Sequence, residues 1–138
     1  MNVLVTGITG FIGSRLATRL VERGDDNTVF GDGSQTRSFS YVTDTVSASL
    51  QFMGSDRSSE MVLNIGMKEE NNIRDLAERI KAIAVSDSSI RFLPLPAGDH
   101  MRRLPDTARM ERLLGWSPSL RLETGLDRTL RWFRSQKP

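Results

Sequence analysis

A glycine-rich turn near the start of the chain has the spacing of a phosphate-binding loop. In TGITGFIG, glycines stand at Gly7, Gly10 and Gly13, after an apolar run and before a stretch with helical spacing. Glycines let the backbone turn sharply and approach a pyrophosphate, and the start of the helix offers N–H groups and a positive dipole end. The pattern predicts dinucleotide binding, and a tight turn that binds nothing is the alternative.

An acidic residue about 20 positions after such a turn normally holds the adenine ribose. Asp32 has this position, just after the apolar stretch NTVF. The alternative, that Asp32 is simply a turn residue in GDGS, explains its presence equally well. The predicted cofactor site consists of the turn and this carboxylate, that is Gly7, Thr9, Gly10, Phe11, Ile12, Gly13 and Asp32.

Arginine supplies nearly all the positive charge, since the only lysines are Lys68, Lys81 and Lys137. Basic residues exceed acidic ones in residues 100–138, and the reverse holds in residues 41–99. This imbalance favours either a solvated pair of helices or a patch for anionic ligands such as phosphates. A nucleic-acid partner is not expected, because the aromatic residues are few and do not alternate with the basic ones along a strand.

Several other kinds of chemistry are excluded by composition. The chain has no cysteine and one histidine, so disulfides, thiolate catalysis and a convincing metal site are not expected. No apolar run reaches the ~18 residues that span a bilayer, so no membrane partner is expected. The N-terminal MNVLVTG is typical of a strand rather than a leader, which makes the cytoplasm the expected location.

Alternating strand and helix patterns position these residues and predict an α/β layered fold. Asn71 or Asn72 can cap a helix whose buried stripe contains Ile73, Leu76, Ala77 and Ile80, and Thr43 or Asp44 can cap another that runs to about residue 53. The predicted strands are residues 2–6, 27–30, 37–42, 62–65 and 90–93; further predicted helices are residues 11–23, 106–114 and 123–133.

Several segments of the sequence, in the order in which they occur, resemble one family. VLVTGITGFIGSRLATRLVERG is similar to the start of an extended short-chain dehydrogenase/reductase of the NAD-dependent epimerase/dehydratase type. TVFGDGSQTRSFSYVTDTV, VLNIGMKEENNIRDLAERI and IRFLPLPAGDHMRRLPDTARMERLLGWSP resemble its substrate side, closest to UDP-glucuronate decarboxylases and dTDP-glucose 4,6-dehydratases. The resemblance implies a reduced Rossmann-like fold with a small parallel or mixed sheet, and NAD or NADP as a weakly bound cofactor.

The resemblance also implies that the central part of the family's pattern has no counterpart here. That part carries a catalytic serine or threonine and a Tyr-x-x-x-Lys pair, in which tyrosine is the acid/base. The only tyrosine is Tyr41, and Thr45 stands four residues later. We therefore expect no family-type catalysis from this chain alone, and no catalytic residue is predicted.

Substrate-binding residues follow from the same resemblance. Gln35 and Arg37 of the QTR segment match residues near the sugar-nucleotide diphosphate. The planar guanidinium group of an arginine can donate a pair of hydrogen bonds to phosphate oxygens. Asp99, Arg102 and Arg103 match residues near the uridine or thymidine ribose, with the contacting arginine left open. Many members of the family have proline where this chain has His100, so the sequence departs from the family's pattern here. His100 is expected at the surface.

Three functions stay open at this point. The chain is a nucleotide or nucleotide-sugar binding protein, an epimerase, dehydratase or decarboxylase completed by a partner or second copy, or a dimeric interaction module without a small ligand. We expect one domain over residues 1–138, in which residues 1–24 form the first βα unit and residues 28–138 a segment like the family's substrate lobe. A sheet shortened in this way exposes edges and apolar faces, so a homodimer is expected.

Overall fold

The computed structural model describes residues 27–135, and the glycine turn with its flanking predicted strand and helix lies outside them. Two small sheets and four α-helices are present in this part of the chain. The strands are β1 (Asn27–Phe30), β2 (Thr36–Arg37), β3 (Asn71–Asn72), β4 (Ile90–Leu93) and β5 (Arg102–Arg103); the helices are α1 (Val42–Met53), α2 (Ile73–Ala84), α3 (Ala108–Leu114) and α4 (Leu122–Ser135).

One sheet pairs β1 with β4 in parallel, with Val29 opposite Phe92. Helix α2 packs on this pair, and Val29 is 1% exposed. The other sheet has the order β3-β2-β5, antiparallel on one side of β2 and parallel on the other. The predicted strands at residues 27–30 and 90–93 and the predicted reduced α/β fold, with small parallel and mixed sheets, are confirmed.

Helix α2 forms for the reasons that its sequence indicates. The Asn72 side chain accepts a hydrogen bond from the backbone N–H of Asp75, which caps the helix. Leu76 and Ile80 are buried with Leu122 of α4 in one cluster, so the amphipathic stripe faces the core. The capping prediction and the buried stripe are confirmed, although Ile73 is only partly buried.

A second apolar cluster joins α1 to α3. It contains Ala48, Met110 and Trp116, with Leu63 and Ile65 packed against it. The predicted strand at residues 62–65 is wrong, because these residues form no strand. Their apolar side chains pack on helices instead of alternating across a sheet.

The predicted strand at residues 37–42 is wrong beyond Arg37, because α1 already begins at Val42. Neither predicted residue caps α1: Tyr41 holds that position and makes no side-chain cap bond. The Asp44 carboxylate instead accepts hydrogen bonds from Ser119 and from the backbone N–H of Leu120, at 2.9 Å. A residue that looked like a local cap therefore ties α1 to the loop before α4.

The two C-terminal helices match their predictions within two residues. Gly115 ends α3 in the left-handed region with φ 63°, as a helix-stopping glycine does. In α4, Leu130 is buried and Leu126 packs on the first cluster. Trp116 is buried, whereas Trp132 is 56% exposed. Of the helices in residues 27–135, none has the length and apolarity to cross a membrane.

Candidate phosphate site

The three-stranded sheet brings together two arginine-containing segments of the sequence, one with Arg37 and one with Arg102 and Arg103. Strand β2 lies between β3 and β5, and its register sets Thr36 opposite Arg102 and Arg37 opposite Arg103. Directly opposed residues of neighbouring strands project to the same face of a sheet, and successive residues project to opposite faces. Arg37 and Arg103 therefore share one face, and Thr36 and Arg102 share the other.

Arg37 is held in place from two sides. Its Nη2 lies 2.7 Å from Asp99 Oδ1, and its Nη1 donates a 2.8 Å hydrogen bond to the carbonyl of Thr36. The Arg37 side chain is 18% exposed and that of Asp99 30%. The structure thus joins two predicted substrate-binding residues in one ion pair at the sheet face, and partial burial makes this pair less screened than one in open solvent.

Arg102 has a different partner. Its Nε donates to both carboxylate oxygens of Glu70, just before β3. Hydrogen bonds from Arg102 lower the pKa of Glu70, with a smaller contribution from Thr36, and the same pairing raises the pKa of Arg102. Sequence reasoning did not find Glu70, because its pairing with Arg102 depends on strands of two residues that leave no periodic signal.

Arg103 is exposed and faces the same side as Arg37. Its neighbour Leu104 is also exposed, so this end of β5 is open to solvent. The face thus carries the guanidinium groups of Arg37 and Arg103, and the carboxylate of Asp99 pairs with that of Arg37. Such a face suits a phosphate or diphosphate, which arginine contacts in pairs of hydrogen bonds.

Gln35 lies next to this face but is buried, at 4% exposure. Its side-chain Nε2 donates a 2.7 Å hydrogen bond to the carbonyl of Phe30, and the backbone carbonyl of Gln35 accepts from the N–H of Ile73. In this arrangement the side chain fastens the end of β1 to the start of β2. Any effect of Gln35 on the predicted ligand would therefore be indirect, through the position of Arg37 two residues later.

Asp32 lies in the exposed turn between the two sheets. Its Oδ1 accepts hydrogen bonds from the N–H and the hydroxyl of Ser34, at 2.9 and 2.6 Å. These bonds lower the pKa of Asp32 below its ordinary value. The other predicted cofactor-binding residues, at positions 7–13, lie outside the described residues.

The residues that sequence reasoning set aside also have clear positions. Tyr41 packs against Gly125 and lies under the guanidinium of Arg128, 5.9 Å from the ring centroid. Lys68 pairs with Glu111 at 2.7 Å, and His100 is exposed. Within residues 27–135, no group of three histidine, cysteine, aspartate or glutamate side chains is arranged to hold a metal ion.

The sequence matches a family described as GDP-mannose 4,6 dehydratase over residues 24–129. Among curated proteins, UDP-glucuronic acid decarboxylase 1 of Danio rerio is 43% identical over 111 residues. That match takes in 80% of this chain but only 26% of the relative, so the chain spans about a quarter of that protein's length.

Solved structures of two enzymes share the fold. UDP-glucose 4-epimerase of Thermotoga maritima, crystallised with UDP-glucose, is 30% identical with a TM-score of 0.79, and the match covers 94% of this chain and 40% of that one. UDP-glucuronic acid 4-epimerase of Bacillus cereus, in complex with UDP-glucuronic acid and NAD, is 27% identical with a TM-score of 0.81, and the match covers 89% and 39%.

Proposed function

We propose, since this chain belongs to the GDP-mannose 4,6 dehydratase family, that it binds a UDP- or dTDP-sugar through the diphosphate and does not carry out the family's chemistry alone. The observation that carries this proposal is the face shared by Arg37 and Arg103, with Asp99 beside them. The structural relatives bound to UDP-glucose and UDP-glucuronic acid support the ligand class.

The roles of the residues follow from their geometry. Asp99 fixes the guanidinium of Arg37 at 2.7 Å, so less side-chain freedom is lost when a phosphate binds. Arg103 supplies the second fork from the neighbouring strand. Asp99 retains acceptor capacity for a ribose hydroxyl, while Gln35 braces the turn that leads into β2. Arg102 is engaged by Glu70 on the opposite face and does not contact the ligand in this proposal.

The cofactor proposal rests on the glycine turn and Asp32. NAD or NADP would lie with its pyrophosphate at residues 7–13 and its adenine ribose at the carboxylate of Asp32. The cofactor supplies hydride transfer when bound. We expect weak binding, because the family segment that would surround the nicotinamide has no counterpart in this sequence.

The proposed absence of catalysis rests on the one tyrosine. Tyr41 packs on Gly125 under Arg128, and none of the three lysines follows it at the spacing of the family's pair. A reaction that needs a tyrosine to move a proton at the sugar therefore lacks its acid/base group in this chain. Restoring single members of such a site does not restore the reaction, since they act as a unit.

We propose further that the protein is a homodimer, formed through α1. Its outer surface exposes Val42, Val46, Leu50 and Met53, each at least half exposed, at helical spacing. The only charged residue of α1 is Asp44, which is buried. An apolar stripe without charges can pack on its own copy across a two-fold axis without like-charge repulsion.

Titration calorimetry with UDP and UMP tests the ligand proposal. If two arginines share a diphosphate, UDP should bind at least tenfold more tightly than UMP, since each charge-assisted contact contributes about 1.5–3 kcal/mol. Equal affinities for UDP and UMP, or no heat with UDP at millimolar concentration, would contradict it.

Sedimentation equilibrium over a wide concentration range tests the dimer. Wild-type protein should stay dimeric on dilution, and Leu50→Glu should be monomeric, because it places a charge in the stripe. Val62→Glu is the matched control, since Val62 is exposed outside α1 and its substitution should leave the dimer intact. A compact wild-type monomer at micromolar concentration would disprove the dimer.

A further inference from the structure

Strand β3 places a third side chain on the face that carries Arg37 and Arg103. Register sets Asn71 of β3 opposite Arg37 on one side of β2, and Arg103 of β5 opposite Arg37 on the other side. Opposed residues project to the same face, and neighbouring strands lie about 4.8 Å apart. The three side chains therefore form a row across the sheet, with two guanidinium groups followed by a neutral carboxamide.

The Asn71 side chain is buried without a hydrogen-bonding partner in the described part of the chain. Asn71 is 8% exposed. Its neighbour Asn72 uses its side chain to cap α2, whereas no hydrogen bond joins the Asn71 side chain to another residue of 27–135. Most buried polar side chains are hydrogen-bonded, because an unpaired group loses its bonds to water and gains none. The amide of Asn71 therefore has donors and an acceptor available at this face.

The position of Asn71 is fixed by the elements around it. Strand β3 pairs with β2, and α2 begins two residues later at Ile73, with its first turn capped by Asn72. A buried side chain on a paired strand loses little freedom when a ligand binds. Asn71 is thus suited to contact a ligand at a defined position beside Arg37.

The chemistry of a carboxamide indicates which ligand group it takes. An ionised phosphate oxygen only accepts hydrogen bonds, and arginine meets it with charge-assisted donors. A carboxamide donates through its nitrogen and accepts through its oxygen, and a hydroxyl group can satisfy both. A diphosphate held by Arg37 and Arg103 leaves the position at Asn71 to the group attached to that diphosphate.

We propose that Asn71 binds a hydroxyl of the sugar ring attached to the diphosphate. The role rests on the proposed nucleotide-sugar ligand, and it makes Asn71 the residue of this row that distinguishes a nucleotide sugar from a bare diphosphate. The ring is the hexose if the nucleoside end of the ligand lies at β5, and the ribose if that end lies at β3. Both rings carry the hydroxyl chemistry that the carboxamide recognises.

Titration calorimetry of two variants with pyrophosphate, UDP and UDP-glucose tests this role. Asn71→Leu removes both hydrogen-bonding groups and fills the site, and Asn71→Ala removes them and leaves space. Both variants should bind pyrophosphate as the wild type does. If Asn71 contacts the hexose, both should bind UDP-glucose about tenfold more weakly and UDP unchanged. If it contacts the ribose, UDP and UDP-glucose should both bind about tenfold more weakly.

Two further variants calibrate the titrations. Arg103→Ala should weaken the binding of all three ligands, because each contains the diphosphate. Gln51→Ala removes a carboxamide from α1, where it donates to the carbonyl of Leu114, and should leave all three affinities unchanged. The melting temperature of each variant shows whether its fold is intact.

The outcomes separate this role from the ligand proposal. An equal loss of affinity for pyrophosphate, unchanged affinity for all three ligands, or unfolding of both Asn71 variants would overturn the role of Asn71 and leave the ligand proposal standing. Wild-type protein that binds neither pyrophosphate nor UDP would refute the ligand proposal, and the role of Asn71 with it.

Discussion

Two adjacent arginines at one strand have different environments. Arg103 shares a face with Arg37 and Asp99, while Arg102 faces the other side and is engaged by Glu70. The sequence word MRRLPD left the choice between them open. The register favours Arg103 for the proposed ligand contact, because it places Arg103 opposite Arg37 and neighbouring residues of a strand project to opposite faces.

These two arginines provide a matched pair of variants. Arg103→Ala should weaken UDP binding about tenfold to a hundredfold, because it removes a charge-assisted contact to the diphosphate. Arg102→Ala removes the same charge from the opposite face of the sheet and should change UDP affinity less than threefold. Calorimetric titration of both variants measures the difference. Equal losses would mean that only the overall positive charge matters.

Glu70 should make part of the stability dependent on pH. Its pKa is lowered in the folded protein by Arg102, so the pairing contributes fully above its ordinary value of 4.5. The contribution is lost as pH falls below that value through the folded pKa. Urea unfolding of wild type and Glu70→Gln should therefore differ near neutral pH and converge in acid. A difference that stays constant on acidification would show that the pair does not act through charge.

At the scale of elements, long periodic segments were predictable and short ones were not. Helix α2 carries its own cap at Asn72 and a full apolar stripe, so its sequence alone defines it. Strands β2, β3 and β5 have two residues each and show no period. The apolar residues at 62–65 looked like a strand because packing on helices and pairing in a sheet select the same side chains.

The turn between the two sheets requires glycine at position 33. Gly33 has φ 78°, and a Cβ there would lie 2.8 Å from Cβ of Arg74 in the first turn of α2. Gly33→Ala should lower the free energy of unfolding by about 2–4 kcal/mol, from backbone strain and a clash together. Gly98 has φ 83° with open space around it. In Gly98→Ala, backbone strain alone should therefore lower the free energy of unfolding by about 1–2 kcal/mol. Urea titration of both variants separates the two effects, and equal losses would contradict the clash.

At the scale of the whole molecule, the match covers most of this chain but only part of each relative. The sequence indicated Gln35 and Arg37 as candidates near the diphosphate and the segment with Asp99, Arg102 and Arg103 as candidates near the ribose, and it lacks a Tyr-x-x-x-Lys pair. It did not indicate that Gln35 turns inward or that Asp99 pairs with Arg37, because both contacts join segments that are brought together only by the fold. The proposed binding face therefore has no Tyr-x-x-x-Lys pair to act with it, since the sequence contains none.

Recovery of bound ligand tests directly whether the protein binds a nucleotide sugar without turnover. The protein is incubated with UDP-glucuronic acid and NAD, separated from free ligand, and denatured to release what it holds. The account predicts stoichiometric UDP-glucuronic acid, chemically unchanged, with no NADH and no carbon dioxide above a protein-free control. The variant Arg103→Ala should retain much less. Recovery of a decarboxylated or epimerised sugar, or accumulation of NADH, would contradict the account and point to an acid/base group other than Tyr41.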